Sequence, residues 1–294
     1  MSSSIPFVHI TDLHIGNPGV EDANLYSDTE ATLRAILNDI KSLNPAPRFI
    51  VASGDLTNHG EARAYERLKA IMAEAALDIP VLYTLGNHDK RSGFYPVMLG
   101  RTDNTDEPYD HAAVIDGIHV VLVDTSVPFK IGGRFEPGQI DWLKAELDLN
   151  PELPKLIVMH HAPALDEDRA DLEWEALSLS DTRALRELLQ GRTNILGILS
   201  GHIHYDRVSF WHGIPVIVGI GQHAATDVLY LHEGLRMVSG AGFTLGTIRP
   251  SGLTVSFVPR PSERRELKVY TYAGMAELIK RYEVEETKAA AAAE

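Results

Sequence analysis

Pro6-Phe-Val-His-Ile-Thr-Asp-Leu-His14 joins an apolar, strand-forming run directly to an acid and an imidazole, and this junction sets the fold. Asp12 and His14 stand two apart, so on an extended chain both side chains point to one side, as a shared cation requires. The pattern recurs along the chain. Residues 48–53 read as a strand ending at Gly54-Asp55, and residues 79–85 as one ending at Gly86-Asn87-His88-Asp89. Residues 156–159 run into His160-His161, and residues 195–199 lead to Gly201-His202-Ile-His204, which repeats the two-residue spacing. Side chains at strand ends are held in one geometry by a rigid sheet. Gly54, Gly86 and Gly201 stand immediately before Asp55, Asn87 and His202, where the lack of a Cβ eases a tight turn or a close approach to an ion.

Between the motifs the hydrophobic period changes. Ser27-Asp-Thr-Glu30 has the form of a capping box opening a helix through about Leu43, with Leu33, Ile36, Leu37 and Ile40 as its apolar stripe. Residues 61–76 carry Ala64, Leu68, Ile71 and Met72 at helical spacing. Asp12 to Asp55 spans 43 residues and Asp55 to Asn87 spans 32, each enough for a crossover helix between neighbouring parallel strands. Farther on, residues 112–124 read as two strands turning at Asp116-Gly117, and Pro137 opens a helix facing inward through Ile140, Leu143 and Leu147. Another helix is expected over 181–190, and strands over 208–211, 215–220, 243–248 and 254–259. This order predicts an α/β (α+β) fold of two mixed β-sheets flanked by helices, with one domain over 1–259. Residues 260–294 are expected to form a C-terminal extension, a helical segment followed by a disordered alanine-rich tail. Its Tyr270, Tyr272, Met275 and Leu278 could pack on the domain, cover the cleft or meet a second copy.

Composition excludes several classes. A net charge of -14 argues against a protein that tracks long nucleic acid, which needs a broad basic surface. Small anionic substrates stay open, because bound dications reverse the sign locally. With no cysteine there are neither disulfides nor thiolate ligands, so His, Asp and Asn remain as candidate metal ligands. No apolar run approaches the ~18 residues of a membrane span, and Met-Ser-Ser-Ser-Ile-Pro lacks a leader pattern. The expected location is cytoplasmic, and a homo-oligomer is left open.

Each motif alone is weak: Asp-x-His is common, Gly-Asp usually marks a turn, and Asn-His-Asp also suits a loop or a helix cap. All five in order are another matter. The set is similar to the calcineurin-like metallophosphoesterase superfamily from about Phe7 to about Pro259. Val123-Asp-Thr-Ser-Val-Pro128, Met159-His-His-Ala-Pro163, Gly201-His-Ile-His-Tyr205 and Gly213-Ile-Pro-Val216 resemble its class III cyclic nucleotide phosphodiesterases and the related glycerophosphodiesterases. That resemblance implies a four-layer αββα sandwich and two metal ions. It implies that Asp12, His14, Asp55 and His204 hold the first ion and Asp55, Asn87, His160 and His202 the second, with Asp55 bridging. It further implies that His88 meets the phosphate or the leaving group, and that His161 supports a ligand instead of binding metal.

Two dications about 3.5 to 4 Å apart would share a hydroxide for in-line attack on phosphorus and offset the charge that grows there. Imidazole, carboxylate and one amide suit Fe, Mn, Zn or Co. His88 with Asp55 would then be the catalytic pair, and Asp89 either orients His88 or forms a turn. Asn87, His88, His161 and His223 are the substrate candidates; His223 either lines the cleft or sits on a solvent-facing loop. His9 and His119 are expected to pack in strands, and His59, His111, His212 and His232 to lie at the surface or in turns. Arg91 either contacts phosphate or forms a surface salt bridge. The expected activity is hydrolysis of a small phosphodiester of the 3′,5′-cyclic AMP type. Glycerophosphodiesters or 2′,3′-cyclic nucleotides are the alternative, and a non-catalytic metal-binding assembly module is the reading from another class.

Overall fold

A computed structural model describes residues 4–293 of the chain. Met1 to Ser3 and the final Glu294 lie outside the described residues, and with them the start of the expected leaderless N-terminus and the end of the alanine tail. The first half builds β1 (Ile5–Ile10), α1 (Thr29–Lys41), β2 (Ile50–Ser53), α2 (Ala62–Ala75), β3 (Val81–Thr84), α3 (Arg91–Phe94), β4 (His111–Ile115) and β5 (Ile118–Val123). There follow α4 (Gln139–Asp148), β6 (Lys155–Met159), α5 (Leu179–Leu189), β7 (Ile195–Ser200), β8 (Arg207–Trp211), β9 (Ile214–Val218) and β10 (Ala225–Thr226). The chain closes with β11 (Gly234–Val238), β12 (Gly242–Arg249), β13 (Gly252–Pro259), β14 (Glu266–Thr271) and α6 (Tyr272–Ala293).

Two mixed sheets dominate, ordered β13-β12-β1-β2-β3 and β4-β5-β6-β7-β9-β8. β1, β2 and β3 are parallel, with Val8 beside Ile50 and Ile50 beside Val81, so the two long gaps between motifs are indeed crossovers through α1 and α2. β5, β6, β7 and β9 run parallel in the second sheet. Phe7, Phe49 and Val51 meet Val120, Leu122, Leu156 and Val158 between the sheets, with Phe7 and Phe49 stacked 5.2 Å apart. Outside the first sheet, α1 and α2 bury Leu33, Ile36, Leu68 and Ile71. Outside the second, α4 and α5 bury Leu143, Leu147, Leu185 and Leu189, which completes an αββα sandwich.

Several local expectations change. The N-cap of α1 is Asp28, whose carboxylate accepts from Ala31 N–H at 2.9 Å; Glu30 pairs with Arg34 and Arg67 instead of closing a capping box. Ser27 is thereby free to donate its hydroxyl to the carbonyl oxygen of His223 at 2.6 Å. α4 begins after Gly138, so Pro137 lies outside it, and Gln139 takes the fully buried place expected for Ile140. Residues 234–238 and 266–271 join β10 in a third, three-stranded sheet ordered β10-β11-β14, which the hydrophobic pattern did not announce. β14 is mostly exposed, with only Leu267 and Tyr270 half-buried, because it covers a cleft, not a core. His111 belongs to β4 and stacks 4.3 Å from Tyr109, and burial lowers its pKa to about 4. Among the described residues no helix is long and apolar enough to cross a membrane.

Arg91 is neither a phosphate contact nor a surface residue. Its guanidinium is buried against Asp124 (2.9 Å), Glu136 (2.6 Å) and the Ser126 carbonyl (2.9 Å), and Asp124 is fully buried. Removing one partner of a buried pair leaves the other charge uncompensated, which costs about 3–5 kcal/mol. Arg91→Ala should therefore lower unfolding stability by that amount in urea titration; a loss under about 1 kcal/mol would contradict the buried pair.

Candidate metal centre

The five motifs converge where the C-terminal ends of β1, β2 and β3 in one sheet approach those of β6 and β7 in the other, the place where parallel strands deliver functional side chains. Backbone bonds stitch the loops together: Asp12 N–H to Gly54 O (3.0 Å), His14 N–H to Asp55 O (2.9 Å) and Gly201 N–H to His160 O (3.0 Å). Asp12, His14, Asp55, His202 and His204 all adopt left-handed backbone, with φ from 45° to 76°. The two-residue spacing thus converges through tight turns and not, as the sequence suggested, along extended chain. Such conformations cost on the order of 1 kcal/mol or more each and gather where a site requires them.

Two groups of donors meet at Asp55, and a third, His14 with His204 and His223, overlaps the first. Potential ligand atoms of Asp12, His14, Asp55 and His204 all lie within 4.8 Å of one another, as do those of His160, His161 and His202. Asp55 stands between the groups, its Oδ2 3.6 Å from His14 Nε2 and 3.3 Å from His160 Nε2. Asp12 Oδ1 lies 3.2 Å from His204 Nε2. The outward ring nitrogens are occupied: Nδ1 of His14 meets Asn58 Oδ1 (2.9 Å), that of His160 meets Ser53 O (2.7 Å) and that of His204 meets Ala224 O (3.0 Å). A carbonyl there calls for Nδ1–H and leaves the Nε2 lone pair facing inward. His202 is reversed, with Nε2 on the Trp174 carbonyl at 2.7 Å. His14 Nε2, His160 Nε2 and Asn87 Oδ1 are buried with no hydrogen-bond partner. Orphaned lone pairs around two buried carboxylates are what a cation site leaves, so the residues fit a metal centre.

Electrostatics agree. Burial opposes ionisation of Asp12 and Asp55, yet the surrounding imidazoles hold both carboxyl groups below their ordinary range. Burial and the neighbouring His160 push His202 down to about 4. Burial also disfavours the charged form of His160, but Asp55 outweighs it and raises the pKa to about 9.

The remaining candidates sort by exposure. Asn87 and His88 line a cleft of about 620 Å³ together with His14, Asp55, His202 and His204. His223 also lines it, only 9% exposed and stacked 5.2 Å from Tyr26, so the solvent-facing alternative is set aside. His161 is fully buried; its nitrogens meet Thr125 Oγ1 (2.8 Å) and the Ile131 carbonyl (2.9 Å), and its ring lies 4.5 Å from His202. Asp89 does not orient His88. It accepts from Leu56 N–H, Thr57 N–H, Gly86 N–H and Tyr65 OH, tying the second motif loop to the third. Sequence reasoning missed Asn58, whose side chain holds His14 and whose carbonyl takes His88 Nδ1 at 2.8 Å. Its position three residues after Asp55 was the available signal. His9 and His119 pack in strands as expected, on Ser53 and Glu146.

A family model described as calcineurin-like phosphoesterase matches residues 5–206, and the chain belongs to that family. A probable cyclic nucleotide phosphodiesterase of Rhodococcus erythropolis is 34% identical over 258 residues, covering 86% of this chain and 82% of its own. A cAMP/cGMP dual specificity phosphodiesterase of Mycobacterium tuberculosis is 31% identical over 258 residues, covering 86% and 78%. A dimetal phosphatase from Danio rerio shares the fold with a TM-score of 0.62 at 15% identity, over 91% of this chain and 99% of that one.

Gly86 marks how tightly the centre is packed: a Cβ there would overlap Asp55 Oδ1 and stand 2.8 Å from His160 Nε2. Gly86→Ala should cost about 1–3 kcal/mol of stability and lower the metal retained after gel filtration. Unchanged melting temperature and metal content would contradict this packing.

Proposed function

We propose that this protein is a binuclear metal-dependent phosphodiesterase acting on 3′,5′-cyclic nucleotides, with residues 1–259 as catalytic domain and 260–294 as an extension. The observation that carries the reading is Asp55 standing between two donor groups, with unpartnered atoms on His14, His160 and Asn87, at the wall of a cleft that His14, Asp55 and Asn87 line. Asp12, His14, Asp55 and His204 would hold one ion, and Asp55, Asn87, His160 and His202 the other. Bound ions would supply an activated water at neutral pH and neutralise charge growing on the phosphoryl oxygens. Fe, Mn, Zn and Co suit this donor set, and Mn or Fe is the proposed occupant.

The chain's own residues do the rest. Asn58 and Ser53 hold His14 and His160 in the tautomer that keeps Nε2 available. His88 donates its backbone N–H to Asp55 Oδ1 at 2.9 Å and anchors Nδ1 on Asn58, so Nε2 is the atom that would pass a proton to the leaving oxygen. His161 buttresses His202, and His223 contacts the substrate from the cleft wall. Among the described residues lining the cleft, Arg281 is the one Arg or Lys. A dianionic monoester would find little clamping there, which supports a singly charged diester. The relatives named for cyclic nucleotides support the same choice, and an intracellular messenger as substrate supports a cytoplasmic location.

The test is turnover of 3′,5′-cyclic AMP with added Mn²⁺, beside 2′,3′-cyclic AMP and glycerophosphoethanolamine. Wild-type protein should cleave 3′,5′-cyclic AMP, a chelator should abolish the reaction, and Asn87→Ala should lower kcat/KM by about 100-fold or more. Turnover that survives Asn87→Ala would sink the reading. If only glycerophosphoethanolamine reacts, the centre stands and the nucleotide assignment falls.

A further inference from the structure

We infer that β14 and α6 form the specificity wall of this site, and that the group they receive is the flat heterocycle of the nucleotide. This rests on the diesterase reading above and names how its substrate is chosen. The cleft of about 620 Å³ does not stop at the metal centre. It continues from Asn87 and His88 along an aromatic and aliphatic wall to which Tyr270, Tyr272, Met275 and Leu278 contribute from the C-terminal segment and Trp174 from the loop before α5. A phosphoryl group and two ions do not need that wall. Glycerol or ethanolamine would leave its apolar faces unused, whereas a heterocycle stacks on aromatic rings whatever its hydrogen-bonding edge. Glu175, also in the lining, adds a hydrogen-bonding side chain beside the apolar faces.

The wall is tied to the centre by direct contacts. β14 pairs with β11, setting Tyr270 beside Leu235 in the third sheet. Tyr270 OH meets Tyr26 OH at 3.1 Å; the Tyr26 ring stacks on His223; and the His223 ring lies 4.8 Å from that of His14. α6 then reaches from one rim of the cleft to the other. At its start Tyr272 OH donates to the Leu231 carbonyl, and midway along it Glu283 pairs with Lys130 at 3.0 Å. Lys130 adjoins Ile131, whose carbonyl meets His161 beneath the second donor group. A strap fixed on both rims leaves a slot between itself and the centre, open to a planar group.

Full-length Tyr270→Ala and the pair Met275→Ser with Leu278→Ser are compared with wild type on two diesters with the same reacting group. One is 3′,5′-cyclic AMP; the other is glycerophosphoethanolamine, a small diester with no ring to stack on the wall. The ratio of kcat/KM for the cyclic nucleotide over the small diester should fall at least about tenfold through KM, as loss of one stacked ring implies. Adenosine, which carries the ring and no phosphate, should inhibit wild-type turnover of the small diester and lose that effect in both variants, while ribose inhibits neither. An unchanged ratio overturns the inference, as does an equal fall on both diesters or inhibition by ribose as strong as by adenosine. Those outcomes leave the diesterase reading intact. Wild-type protein that cleaves neither diester removes the parent reading, and this inference with it.

Discussion

Two carboxylates placed out of reach of water are the constraint around which the molecule is arranged. Asp12 is fully buried and Asp55 is 1% exposed, and a buried anion is tolerated only where positive charge or several donors meet it. The chain answers in different ways around Asp124 and around Asp12 and Asp55. Around Asp124 it places the permanent charge of Arg91, whose guanidinium is satisfied by Asp124, Glu136 and the Ser126 carbonyl, and that cluster is closed. Around Asp12 and Asp55 it places imidazoles anchored from behind, with lone pairs left facing the acids. The second solution presents inward ring nitrogens that can give up a proton and take a cation in its place, which a guanidinium cannot, and so it suits a metal centre instead of another permanent salt bridge.

The sandwich makes that arrangement affordable in conformational terms. Asp12, His14, Asp55, His202 and His204 depart into left-handed backbone immediately beyond strands whose residues are almost wholly buried. A strained turn persists when its flanks are over-determined, and here a packed layer between two sheets and a helical layer outside each supply that rigidity. Asp89 adds a local brace. Half-buried, it gathers three backbone N–H groups and the Tyr65 hydroxyl, which ties the loop bearing Asp55 to the one bearing Asn87.

What the sequence made legible follows from the same geometry. Strand-to-motif junctions such as Ile10-Thr-Asp12 and Met159-His160 are local, so a short apolar run ending in an acid or imidazole could be read without knowing which strands pair. The crossovers were legible through gap length and the stripes on α1 and α2. Groups that act across space were not. Asn58 is ordinary until His14 and His88 are seen on either side of it, and Arg91 looks like a surface residue until Asp124 is brought beneath it. Asp28 caps the helix and Ser27 bonds instead to the carbonyl of His223, a partner 196 residues away that no local pattern announces. The third sheet escaped for a related reason: its strands cover a cleft and carry no clean one-sided pattern.

Charge links the centre to its substrate. The chain is acidic overall, and the described lining of the cleft carries Arg281 as its one Arg or Lys, so little in the protein itself attracts an anion. In the proposed assignment two carboxylates face two dications, and the amide of Asn87 contributes a donor without a further negative charge. The centre is then net positive only while both ions are present. Substrate attraction and catalytic power become properties of the same loaded state, and by linkage an anionic diester in the cleft must also strengthen the hold on the ions. An acidic protein can in this way bind an anion tightly at one place and repel it elsewhere, with Asp55, shared by both donor groups, as the residue through which the two bindings are coupled.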